Sequence, residues 1–207
     1  MQGNKEETRK GILAAVGRLL SKGGFRSIGV NRVAREAGVD KVLIYRYFGG
    51  LPALLDAFAK ESRYWPGFDE LSDYAASSGA REPKHVAAAM LIGFVRALRA
   101  RPVTQEILRW ELHERNQLTD ELAKAREHEG LRILAHFAPG TDDADVAAIT
   151  SLAVAGATYL VLRSKTADHY NGIDLRSEEG WKRIESALGW LAERMPVENP
   201  PATARRS

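Results

Sequence analysis

The stretch Ser27 to Phe48, SIGVNRVAREAGVDKVLIYRYF, constrains this chain more than any other. Apolar residues recur at helical spacing on both sides of Ala37-Gly38-Val39, so two short helices must meet at a tight turn. Glycine supplies there a backbone state that other residues resist. The first helix of the pair fits Val30 to Ala37, with Gly29 before it and Gly38 after it. The second starts after Asp40, whose carboxylate is a good N-cap acceptor, and runs to about Tyr47. Ile28, Val33, Ala34, Ala37, Val39 and Ile44 can face one way and pack on a preceding helix. That helix covers roughly Thr8 to Lys22, where Ile12, Ala15, Val16, Leu19 and Leu20 make a single apolar stripe before Gly23-Gly24 ends it. After Gly49-Gly50, Leu51-Pro52 opens a fourth helix.

This is the helix-turn-helix pattern, in which the second helix of the pair lies in the major groove of DNA. Its outward positions are Lys41, Val42, Leu43, Tyr45 and Arg46. Lys41 and Arg46 can neutralise phosphates or donate to guanine, while Val42 and Leu43 can touch a thymine methyl. Tyr45 and Tyr47 can donate to phosphate oxygens, which sets register rather than sequence. Charge favours this reading over a plain helical hairpin with ordinary surface Tyr and Arg. The total of 30 Lys+Arg against 27 Asp+Glu hides an unequal split. Residues 1–63 hold twelve basic and six acidic side chains, a net of +6; residues 64–207 hold eighteen and twenty-one, a net of −3. A compact basic segment on a mildly acidic remainder suits a polyanionic partner, and the excess falls on the helix-turn-helix itself.

Thr8 to roughly Glu61 resembles the DNA-binding domain of TetR-family transcriptional regulators. The residues that carry the resemblance are Gly23-Gly24-Phe25, then VNRVAREAGVDKVLIYRYF, then Leu54-Leu55 in the next helix. The resemblance implies a homodimer that binds a palindromic operator and represses transcription until a small molecule binds the C-terminal domain. It implies DNA-facing positions at Asn31 on the second helix and at Lys41, Val42, Leu43, Tyr45, Arg46 and Tyr47 around the third. Three positions depart from the family pattern. Gly29 stands where a Ser or Thr usually caps the second helix, and Asp40 stands where Ser is common. Leu51 occupies the place of a frequent phosphate-contacting lysine.

The rest of the chain also reads at helical period, so the fold class expected is all-α: an N-terminal three-helix DNA-binding domain, then a helical ligand-binding and dimerisation domain. The expected divisions are 1–63, 64–195 and a disordered tail at 196–207. Pro66 to Pro83, rich in Gly, Ser, Asp and Pro, reads as the joint. Apolar-periodic stretches follow at about Lys84 to Ala100, Pro102 to His113, Thr119 to Phe137, Asp143 to Ser164 and Glu178 to Met195, with loops at Ala138 to Thr141 and Asp168 to Leu175. Ala147 to Leu162 is apolar on nearly all sides but too short for an easy membrane span. Paired with the final helix across a two-fold axis it gives a four-helix interface, with Leu152, Gly156, Trp181, Ile184, Leu188 and Leu191 at the contact. A pocket for an unidentified effector falls between helices of this region, with Met90, Phe94, Trp110, His113, Phe137 and Tyr159 as candidate lining residues. Arg109 sits beside Trp110, where pairing with Glu106 explains it as well as a ligand does.

Several function classes lack their residues. Zero Cys removes disulfides, thiolate metal sites and cysteine nucleophiles. No two of the five histidines stand at H-x-x-x-H spacing, and there is no P-loop, dinucleotide fingerprint or G-x-S-x-G elbow. Asp142, Asp143 and Asp145 read as the acidic first turn of a helix. The expectation is therefore a regulator and not an enzyme, with no cofactor or metal. Met1 to Arg9 is polar with no apolar h-region to follow, so the location expected is cytoplasmic, without membrane association. The competing reading is a helical small-molecule-binding protein or enzyme with no DNA role; a DNA-binding protein without a ligand is the third.

Overall fold

The computed structural model describes residues 2–61, 64–113, 115–137 and 144–197, with the backbone alone described at 2–4, 117, 137 and 144. Among these residues there are ten α-helices and one short β-hairpin, so the chain is all-α. They gather into two compact units that are not consecutive in sequence. Met1–Trp65 cluster with Arg101–Arg126, and Pro66–Ala100 with Glu127–Ser207.

In the first unit, α1 (Gln2–Gly23) starts six residues ahead of the expected Thr8. Its first two turns are polar and carry no apolar stripe, which is why periodicity alone places its start too late. A 3-10 turn (Phe25–Ser27) leads to α2 (Val30–Ala37), α3 (Lys41–Phe48) and α4 (Leu51–Glu61). Ile12, Val16, Leu20, Val33, Ile44 and Leu54 are sealed in their shared core. Ile28, Ala37 and Val39 pack against that core from a half-buried position. Two later helices complete it: α7 (Pro102–Glu111) adds Ile107, and the first part of α8 (Gln117–Phe137) adds Leu118 and Leu122. Tyr64 ties these segments together. Its hydroxyl donates to the Leu122 carbonyl at 2.6 Å, and its own carbonyl accepts from Thr104 Oγ1.

In the second unit, α5 (Phe68–Ser77) forms inside the stretch expected to be a joint. Leu71 and Ala75 are buried, and Asp69 and Glu70 lie in its first turn, where negative charge suits the helix dipole. The central element is α6 (Pro83–Arg99), which buries Ala87, Met90, Leu91, Phe94, Val95 and Leu98. It contacts α5, α9 (Ala144–Arg163) and α10 (Glu178–Ala192). Gly93 lets Tyr74 approach: a Cβ there would lie 2.7 Å from the ring. Arg96 of α6 holds Glu185 of α10 with two hydrogen bonds, at 2.7 and 2.9 Å. Residues 168–175 are not a plain loop. His169–Tyr170 (β1) pairs antiparallel with Ile173–Asp174 (β2) across Asn171-Gly172, both at positive φ, the arrangement of a two-residue hairpin turn.

Among the described residues, Asp145–Arg163 is the one helical segment long and apolar enough by itself to cross a membrane. Asp145 falls in the first turn of α9, as expected; Asp142, Asp143 and the loop 138–141 lie outside the described residues. So does the tail from residue 198, while Val197 is buried.

Candidate nucleic-acid interface

The turn between α2 and α3 is built as its residues require. Gly38 takes the left-handed conformation at φ 68°, and Val39 N–H donates back to the Ala34 carbonyl at 3.0 Å. Asp40 caps α3 by accepting from Val42 N–H at 2.8 Å, and Gly49 at φ 81° ends it. Gly29, in extended backbone at φ 175°, caps α2 with no side chain. Ile44 and Phe48 anchor α3 in the core, and α2 is fixed to α1 by Glu36, which accepts from Arg18 at 2.8 Å and Lys22 at 3.4 Å. The hydrogen bond from Arg18 is the main reason the Glu36 carboxyl is held below its ordinary value.

With α3 anchored on one side, Lys41, Val42, Tyr45 and Arg46 share the opposite, exposed face. Val42 and Tyr45 are 61% and 55% exposed and stand together on this face. Asn31 is exposed on α2. Leu43 and Tyr47 differ from these: both are half-buried and pack against the core, so Leu43 does not stand outward with Val42.

Arg9, Lys10, Arg18, Lys22 and Lys60 each face a carboxylate. Among the described residues Arg32 and Arg35 on α2 and Lys41 and Arg46 on α3 face none, and all four are exposed. Arg32 and Arg35 were not singled out by sequence. The signal was present, since both fall in the basic segment on positions outside the apolar stripe of α2.

The candidate ligand residues are divided between the two units. Trp110 and His113 belong to the first unit, where Trp110 packs on Gly24 and His113 Nδ1 lies 2.9 Å from the Arg109 carbonyl. Arg109 pairs with Glu106 at 3.1 Å. Met90 and Phe94 are buried in α6 of the second unit, and Tyr159 stands exposed on α9, edge-on to Tyr170. The Phe137 side chain lies outside the described residues. Of the candidate dimer contacts, Leu152 and Gly156 are exposed on α9. Trp181, Ile184 and Leu188 are buried within the chain, on α10, and Leu191 is half-buried. Among the described residues no group of three His, Asp or Glu side chains is placed to hold a metal ion.

Residues 12–58 match the family model described as bacterial regulatory proteins, tetR family. Solved structures match along nearly the whole chain. A TetR family transcription regulator from Marinobacter aquaeolei VT8 is 15% identical with a TM-score of 0.60, covering 97% of this chain and 100% of its own. The fatty acid degradation regulator FadR from Bacillus halodurans is 16% identical with a TM-score of 0.62, covering 92% and 97%. NalD, the secondary repressor of the MexAB-OprM multidrug efflux pump in Pseudomonas aeruginosa, is 16% identical with a TM-score of 0.60, covering 90% and 95%. At these identities the likeness shows the fold. No curated protein matches the chain in sequence. Residues 12–58 thus form a helix-turn-helix domain of the tetR family of bacterial regulatory proteins, set in a fold that the chain shares with these regulators.

Proposed function

We propose that the protein is a repressor that binds a palindromic operator as a homodimer and is released by a small-molecule effector. The observation that carries the DNA reading is the sorting of charge. Arg32, Arg35, Lys41 and Arg46 remain exposed without carboxylates on α2 and α3, while Arg9, Lys10, Arg18 and Lys22 of α1 and Lys60 of α4 face carboxylates. Cations left without internal partners on a helix-turn-helix are the electrostatic footprint of a phosphate backbone. Lys41, Val42, Tyr45 and Arg46 then meet the groove, with Asn31 and Tyr47 flanking them.

Two protomers are joined in this proposal through α9. Ala148, Leu152, Ala155, Gly156 and Tyr159 form one exposed stripe on a helix whose other side packs within the chain. An apolar stripe with small residues suits close packing against a second copy of itself. On α10 the exposed apolar side chains are Ala187 and Trp190, whereas Trp181, Ile184 and Leu188 are buried. The effector site is proposed in the second unit, near Met90 and Phe94 of α6. Relatives of this fold include a regulator of fatty acid degradation and a repressor of a multidrug efflux pump, which favours an apolar or amphipathic effector. The protein acts in this reading on DNA in the cytoplasm, as a regulator and not as an enzyme.

The test is binding to the DNA upstream of its own gene, measured across salt concentrations. The expected result is affinity that falls steeply with salt and is lost in Arg46→Ala. Salt-independent binding, or unchanged affinity in Arg46→Ala, would overturn the docking. A thermal-shift screen of small apolar and amphipathic compounds tests the effector, with stabilisation and loss of DNA binding expected together.

A further inference from the structure

We infer that Lys5, near the start of α1, contacts a DNA phosphate beside the C-terminal end of α3. This rests on the DNA-binding reading above and extends the interface to a helix outside the helix-turn-helix pair. The early start of α1 is what makes it possible, because it carries Lys5 back along the domain to the last turn of α3. There the Lys5 ammonium lies 5.9 Å from the centroid of the Tyr47 ring. One turn further along the same face, Arg9 pairs with Glu61 and lies over the Phe48 ring at 5.1 Å. That residue clamps the start of α1 against the end of α3 and the end of α4.

The charge pattern distinguishes Lys5 from its neighbours. Among the described residues α1 carries five basic side chains. Arg9 faces Glu61, Lys10 faces Glu6 at 4.0 Å, and Arg18 and Lys22 share Glu36. Lys5 alone has an aromatic ring for a neighbour and no carboxylate. It is exposed, and a cation–aromatic contact at an exposed site is weak enough to be exchanged for a stronger partner. Glu6 is engaged by Lys10, and Glu7 lies on the far side of the helix from Lys5, two residues on.

The phosphates line the rims of the groove that the recognition helix enters, and side chains just off its exposed face reach a rim rather than the bases. Tyr47, half-buried and next to Arg46, is at such a position, and Lys5 stands over it. A lysine ammonium is a compact point charge without the planar fork that reads guanine. Lys5 therefore adds affinity to any duplex and leaves sequence choice to α3.

The experiment uses the full-length protein with two labelled duplexes, the DNA upstream of its own gene and a random-sequence duplex, in fluorescence anisotropy across salt. Lys5→Gln is expected to weaken both by the same factor. Its plot of log affinity against log salt should be shallower by about 0.9 per protomer, one phosphate contact. Lys5→Arg should restore the slope, and Lys10→Gln should leave it unchanged. Lys5→Gln with the wild-type slope overturns the proposal even if affinity falls, since a purely structural role would not release counterions. If that occurs while Arg46→Ala still abolishes binding, the DNA reading stands without Lys5. If the wild type binds neither duplex, both fail together.

Discussion

The indole of Trp110 lies directly over Gly24, the residue at φ 60° that ends α1, and leaves no room there for a Cβ. A methyl group at this position would overlap the shared edge of the indole rings, and the backbone, at φ 60° and ψ −163°, is one that only glycine adopts without strain. Gly24→Ala should cost about 2–4 kcal/mol, roughly half from the backbone and half from the overlap. In the Trp110→Ala background the overlap is gone and only the backbone part remains, about 1–2 kcal/mol. Urea unfolding of the four proteins checks this; strictly additive costs would mean that the two residues do not touch.

Asp40 serves α3 as a cap while placing a negative charge at the N-terminal end of its exposed face. Asp40→Ala should lose about 1 kcal/mol of stability, whereas Asp40→Ser keeps an acceptor for Val42 N–H and should change stability little. Removing the charge should also tighten binding to DNA in Asp40→Ser at low salt, with the gain shrinking as salt screens the repulsion. Equal affinity for wild type and Asp40→Ser at low salt would place Asp40 away from the phosphates.

Glu111 and Arg126 form an ion pair at 2.6 Å inside the first unit, with the glutamate side chain only 9% exposed. Its second oxygen, Oε1, has no hydrogen-bond partner. Burial therefore raises the Glu111 carboxyl above its ordinary value of 4.5 despite the pull of Arg126. A carboxyl with a raised folded-state value holds its proton more tightly folded than unfolded. Its contribution to stability is thus fully present below 4.5 and is lost as the pH climbs through the folded value. The advantage of wild type over Glu111→Gln in unfolding free energy should shrink over that window, while Arg126→Met, which strands the buried charge, should cost about 3–5 kcal/mol at neutral pH. A stability difference between wild type and Glu111→Gln that is flat with pH would refute the raised value.

What sequence could reveal here was local. The α2–α3 turn, the Asp40 cap and the glycine stop at Gly49 each depend on residues a few positions apart, and all three form as read. The hairpin at Asn171-Gly172 was equally local, but its strands are two residues each, too short for alternation to register. Helix α5 was hidden because it is only ten residues long and Gly67, Ser78 and Gly79, which flank it, give the stretch around it the composition of a loop. The long-range facts were out of reach. Periodicity shows that α7 has a buried face, but not that Ile107 and Trp110 spend it on the DNA-binding unit. Likewise the stripe of Trp181, Ile184 and Leu188 says that α10 is covered, not whether its own chain or a partner covers it.

That last distinction can be measured. Leu152 is 74% exposed on α9 and buries little within its own chain, so Leu152→Asp should leave helix content and single-chain packing intact. If α9 joins two protomers, the substitution puts a charge into an apolar contact, and sedimentation should shift from dimer to monomer at micromolar protein. Trp181 is the counterpart. It is 2% exposed, its Nε1 donates to the Leu175 carbonyl at 2.9 Å, and Arg99 stacks on it at 4.5 Å. Trp181→Ala should therefore act on folding, by about 3–5 kcal/mol. Wild-type sedimentation in Leu152→Asp would move the interface off this stripe of α9.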